Sequence, residues 1–131
     1  MNTIRVLIDW CPDTFGAVSE DIPGCVATDR TEQGVKEGYI SALQFHLEGL
    51  EPDEIPECLK TEYKLEFEYS IPALLHHYDG IVTRAALSRV TGISQKLIGH
   101  YLTGYRTPRP ARRQQIIDGL HRLGEELLAA H

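Results

Sequence analysis

Thr3 to Asp9 alternates Ile4, Val6 and Ile8 with Arg5 and Leu7, a period-two pattern that predicts a β-strand. Cys11-Pro12-Asp13-Thr14 has the chemistry of a turn, since Pro fixes φ and Asp closes turns through its side chain. Phe15 to Ser19 then fits the second arm of a hairpin, Asp21-Ile22-Pro23-Gly24 a further turn, and Cys25 to Thr28 a third strand. The period now changes. Val35, Tyr39, Leu43 and Leu47 recur every four residues with Ala42 and His46 beside them, predicting a helix with one buried stripe. Thr31 is its N-cap, Glu32 stands at the positive end of its dipole and Gly49 ends it. Gly34 and Gly38 each cost this helix about 1 kcal/mol relative to Ala, which suits positions of close approach to a sheet. Residues 51–57 form an acidic, proline-punctuated loop. The clearest strand follows, Tyr63, Leu65, Phe67 and Tyr69 on one face and Lys64, Glu66 and Glu68 on the other. Residues 1–69 therefore predict a βββαβ domain, a helix on a small, mainly antiparallel sheet.

From Ser70 the pattern is helical throughout. Ser70 and Pro72 are an N-cap and a first-turn proline for a short helix carrying Leu74, Leu75 and Tyr78, which Gly80 ends. Ala85, Ala86, Leu87 and Val90 give the next helix an apolar face, and Gly92 stands where it must stop. Ser94 caps a further helix whose buried side is Leu97, Ile98, Tyr101 and Leu102. After Pro108 and Pro110 a longer helix runs from about Ala111 to Ala129, with Ile116, Leu120, Leu123 and Leu127 spaced four, three and four. That stripe is either a dimer seam or the face by which the helix packs on its own bundle. Two short helices joined by a three- or four-residue turn containing Gly form the helix-turn-helix signature. The whole chain is thus an α+β protein, residues 1–69 a sheet domain and residues 70–131 an all-helical one.

Charge sharpens that division. The 131 residues carry a net charge of −6, but residues 1–69 hold 5 Lys/Arg and 15 Asp/Glu, net −10. Residues 70–131 hold 8 Lys/Arg and 4 Asp/Glu, net +4, with no acidic residue between Gly80 and Ile117. Two domains of opposite sign imply two different partners. The 3 cysteines are odd in number and lack a CxxC spacing, so neither a disulfide framework nor a zinc knuckle is predicted. No apolar run is long enough to span a bilayer and no leader precedes the first strand, so a cytoplasmic protein with no membrane partner is expected.

The candidate DNA-contacting set is Thr83, Arg84, Ser94, Gln95, Lys96, Gly99, His100, Thr103, Arg106 and Arg109. Gln95 and Lys96 have the geometry to read adenine and guanine edges near the start of the helix that would enter the major groove. Gly99 offers close approach. His100 shares that face as a reader or as a solvated surface residue. Thr83, Arg84, Thr103, Arg106 and Arg109 suit phosphate oxygens, which position a protein without carrying sequence information. Paired readers are needed to match half-sites one helical turn apart, so a homodimer or a higher even oligomer is expected. Arg112 and Arg113 lie too far along to reach bases and are expected to touch the DNA backbone or to form salt bridges with the acidic domain. His76-His77 does not make a metal site, because neighbours on a helix point about 100° apart and no third ligand is spaced for them. Asp9 with Glu37 or Glu48 would be the start of a two-metal nuclease cluster, but a βββαβ chain has no further strand to complete it. No catalytic residue, metal or cofactor is predicted.

Read together, the two halves resemble a HicB-type antitoxin of a HicAB toxin–antitoxin system. In the first half the resemblance rests on the opening strand, Phe15-Gly16-Ala17-Val18, the Ile22-Pro23-Gly24-Cys25 turn, Thr28 and the Thr31-Glu32 helix start. In the second it rests on Leu87-Ser88, Gly92-Ile93-Ser94, Ile98, Tyr101 and Gly104-Tyr105-Arg106-Thr107-Pro108, a pattern similar to the lambda-repressor-like (Xre) helix-turn-helix. The chain departs from the family at Gly34 and Val35, where Glu and Ala are common, at Ser88 in place of Ala, and at Leu102 where many relatives carry Glu. The resemblance implies a truncated ribonuclease-H-like first domain that binds a HicA-like basic ribonuclease toxin through residues it does not specify. It also implies a second domain that dimerises and represses its own operon on double-stranded operator DNA, with no enzymatic activity. The competing expectation is a stand-alone helix-turn-helix regulator whose acidic domain senses a ligand or protein.

Overall fold

The computed structural model describes residues 1–131, which form two compact units, Met1–Ala73 and Leu74–His131. In the first, strands β1 (Asn2–Cys11), β2 (Thr14–Val18), β3 (Val26–Asp29) and β4 (Tyr63–Tyr69) form one sheet in the order β3-β2-β1-β4. β1 pairs antiparallel with β2, and β2 with β3, while β4 runs parallel to β1 with Ile4 opposite Leu65 and Val6 opposite Phe67. The β1–β2 turn puts Pro12 first and Asp13 second, Asp13 at φ 66, a conformation Asp tolerates better than most residues. Trp10 and Phe15 meet edge to face across this hairpin, their ring centres 4.9 Å apart.

Helix α1 (Glu32–Glu48) covers one face of the sheet. Its Val35, Tyr39 and Leu43 pack with Ile4, Val6, Ile8, Phe15 and Ala17, closed by Ile22, Cys25 and Leu59. Thr31 caps α1 by accepting the Gly34 N–H, and Asp29 at the end of β3 accepts both the N–H and the hydroxyl of Thr31. A Cβ at Gly34 would lie 2.1 Å from Asp29 Oδ2 and 2.7 Å from Thr31 Oγ1, so its close approach is to the cap and the end of β3. A Cβ at Gly38 would meet Ala27 at an ordinary 3.7 Å, so that position is not constrained in this way. Lys36 pairs with Glu32 at 2.5 Å and lies over the rings of Phe67 and Tyr69, whose hydroxyl donates to Glu32. These contacts tie α1 to β4.

Residues 51–57 are more ordered than a loop. Pro52–Glu54 makes one 3-10 turn closed by the Glu54 carboxylate on the Glu51 N–H, and helix α2 (Glu57–Lys60) exists to insert Leu59 into the core. The boundary between the two units falls within α3 (Ile71–Tyr78), whose cap is Ser70 Oγ accepting the Ala73 N–H. Beyond it lie α4 (Arg84–Thr91), α5 (Gln95–Thr103) and α6 (Pro110–Ala129). Leu75, Leu87, Ile93, Ile98, Tyr101, Leu102 and Ile116 are the buried residues they enclose. Ala85, expected on the apolar face of α4, is exposed, and Thr91 is buried in its stead. The threonine hydroxyl satisfies itself by donating to Leu87 O at 2.6 Å and accepting the Ile93 N–H, which makes its burial cheap. No helix is long and apolar enough to cross a membrane.

Candidate nucleic-acid interface

The α4–turn–α5 segment is built by its caps. Thr83 and Ser94 each accept the backbone N–H three residues on, at 3.1 and 3.2 Å, and so start α4 and α5. Gly92 and Gly104 end the two helices in the left-handed conformation, φ 74 and 81, where a Cβ would be strained. The turn Gly92-Ile93-Ser94 is pinned from inside by Ile93, which is almost fully buried.

Helix α6 then clamps the end of α4. Gln115 Nε2 donates to Thr91 O at 2.7 Å and Arg122 Nη2 to Val90 O at 2.6 Å, satisfying two carbonyls that a helix end leaves open. The Arg122 charge also sits at the negative end of the α4 dipole. Between them Gly119 is buried, with room for nothing larger: a Cβ there would stand 2.7 Å from Val90 O and 3.0 Å from Thr91 Cα. Sequence reasoning passed over Gln115, Gly119 and Arg122. A glycine at helical spacing between Ile116 and Leu120 was the one available signal of close helix approach.

On this frame Gln95, Lys96 and Thr103 are exposed along one side of α5, with Gly99 and His100 half-buried between them. Arg84 reaches across from α4, its Nη1 3.1 Å from where a Gly99 Cβ would be, so the missing side chain at Gly99 is what admits the guanidinium. His100 is not a bare surface residue. Its ring packs on Tyr105 at 4.8 Å, leaving Tyr105 74% exposed beside the same face. The Thr103 hydroxyl donates to Gly99 O and His100 O, which leaves it only lone pairs to offer outward. Arg106 is fastened through its backbone, whose N–H donates to His100 O at the end of α5.

Arg106, Thr107, Arg109 and Arg112 line one open hollow with Leu97, Tyr101 and Gln115. Arg112 donates to Gln115 Oε1 at 3.0 Å and so joins the clamp residues. The hollow begins at the N-terminal end of α6, where free N–H groups add to the positive potential. Chemically, this surface offers amide and ammonium groups at the start of a helix, flanked by guanidinium groups, with no carboxylate between Gly80 and Ile117.

The other candidates are scattered. His76 Nε2 donates to Leu102 O at 2.9 Å, and His77 packs against the Tyr78 ring. Leu102, whose carbonyl accepts that bond, has a buried side chain. Asp9 projects from the sheet face opposite α1, accepting the Ser70 hydroxyl at 2.5 Å and the Trp10 N–H, whereas Glu37 on α1 accepts from Gln33. Nowhere do three His, Cys, Asp or Glu side chains converge as metal ligands would. The α6 stripe divides: Ile116 is buried, Leu120 and Leu123 are half-buried, and Leu127 is 65% exposed. Compared with known proteins, the chain matches no family model, no curated protein and no solved structure.

Proposed function

We propose that this chain is a cytoplasmic antitoxin-type protein of two binding halves: α4 and α5 form a helix-turn-helix that reads operator DNA, and the acidic unit, a truncated ribonuclease-H-like domain, neutralises a basic ribonuclease toxin of the HicA kind. No residue acts as a catalyst. The observation that carries the DNA reading is the acid-free face on which Gln95 and Lys96 stand exposed at the start of α5, bracketed by Arg84 and by the Arg106–Arg109–Arg112 hollow. The net −10 of residues 1–69 supports the second half, because an acidic surface attracts a protein whose own surface was built for phosphates. The chain works as a homodimer whose seam includes the apolar hollow of about 290 Å³ lined by Leu74, Tyr78, Ile81, Leu123 and Leu127. Ile81 and Leu127, at 75% and 65% exposure, are the side chains a second copy would cover.

The test is a band-shift titration on the DNA upstream of the chain's own gene. Arg106→Ala should weaken binding to every sequence alike and reduce the salt slope by about one. Gln95→Ala should cost about 1–3 kcal/mol on the cognate site and leave non-specific binding unchanged. Equal behaviour of the two variants overturns the groove assignment.

A further inference from the structure

The sheet of Met1–Ala73 has one covered face and one bare one. On the bare face the register places Glu68, Leu7, Val18 and Val26 side by side across all four strands. Leu7, Val18 and Val26 are 41%, 46% and 63% exposed, so three aliphatic side chains form a contiguous solvent-facing row. Single exposed aliphatics are ordinary on any protein, but a contiguous row marks a surface that something covers. Leu7 and Val18 floor a hollow of about 520 Å³ whose walls include Arg5, Glu20, Asp21 and Glu68. The same face carries Asp9 and Glu66, so its carboxylates outnumber its two cations, Arg5 and Lys64.

Resting on the neutralising role proposed above, we infer that this bare sheet face is where the basic protein docks. The aliphatic row receives an apolar side chain at the centre of the contact, and Glu20, Asp21, Glu66 and Glu68 meet its lysines and arginines at the rim. That arrangement, apolar in the middle and charged at the edge, is the anatomy of a specific protein interface. A second copy of this chain does not fit the face, because acidic rim would meet acidic rim. The covered face of the sheet offers no competing site, since its apolar residues are spent on α1. The exposed aromatic of this unit, Phe45 on α1 at 80% exposure, lies outside the row and borders it only at Val26, so it supplies a control for Leu7 and Val18.

The experiment titrates the full-length chain with the basic protein encoded beside its own gene, by calorimetry, in low and moderate salt. Val18→Lys puts a cation into the aliphatic row without touching the core and should weaken the dissociation constant about a hundredfold. Glu20→Lys combined with Glu66→Lys should weaken it about tenfold at low salt and flatten its salt dependence. Phe45→Ala should bind as the wild type does, and operator affinity should be unchanged in all three. Wild-type affinity in Val18→Lys, or a loss confined to Phe45→Ala, overturns the docking face while leaving the neutralising role in place. Should Val18→Lys fail to fold by circular dichroism, the rim variant decides, and an unaltered salt dependence there overturns the face. If no such neighbour exists, or the wild-type chain does not bind it, the neutralising role and the docking face fall together.

Discussion

In Met1–Ala73 the core is an apolar mass between sheet and helix, and its one unsatisfied polar group is tolerated. The Tyr39 hydroxyl is buried without a hydrogen bond of ordinary geometry, and burial beside the Cys25 thiol pushes its pKa well above the phenol range. In Leu74–His131 fewer large residues are buried, and side-chain-to-backbone bonds hold the helix ends together: His76 on Leu102 O, Gln115 on Thr91 O and Arg122 on Val90 O. A sheet pairs its own backbone internally, so its side chains are free to be oil. Short helices leave carbonyls open at every end, and a domain made of them must spend side chains on closing them.

The comparison can be broken in three places. Gly119→Ala should be the most damaging change, about 3 kcal/mol, because its methyl meets the backbone of α4 rather than a movable side chain. Hydrogen exchange should quicken in α4 and α6 while the sheet amides keep their protection; equal loosening of the sheet would refute the separation. Next, Gln115→Ala should cost about 1–2 kcal/mol by exposing Thr91 O to an apolar neighbourhood, whereas Tyr39→Phe should be neutral or stabilising. Urea unfolding measures both, and comparable losses would erase the contrast.

The smallest effect concerns pH. The Thr31 backbone N–H, and then its hydroxyl, hold the Asp29 carboxyl below its ordinary value. A depressed folded value means that its contribution is complete above the unfolded carboxylate pKa, about 3.9, and is lost as pH falls through the folded one. Asp29→Asn should therefore make the decline in stability below about pH 4 shallower. Fluorescence of Trp10, the single tryptophan, follows it in the sheet unit.

Much of this was legible in local pattern. The alternation of Ile4, Val6 and Ile8, the stripe of Val35, Tyr39 and Leu43, and the caps Thr31, Thr83 and Ser94 each declare themselves within a few residues. The parallel pairing of β4 with β1 does not, because strand order depends on contacts some sixty residues apart. Leu59 was hidden because a four-residue helix has no period to detect. At the candidate interface Gln95, Lys96 and Arg84 stand on the surface that spacing assigned to them. That Arg112 shares a hollow with Arg106 and Arg109 was not legible, because its distance along α6 says nothing of how α6 folds back on the turn. Val18 and Val26 look like ordinary strand residues until register sets them beside Leu7.

The parallel β1–β4 pair has a consequence for synthesis. Once made, β1 must wait for almost the last segment of its domain before its free edge is filled. Until then β1 and β2 form a hairpin with an open flank, and pairing over so long a loop is slow. The ties that clamp α6 to the end of α4 span 32 residues at Val90–Arg122, about half the β1–β4 separation, so they close faster once made. On a growing chain, then, the acidic half is the slower to mature, although it emerges first.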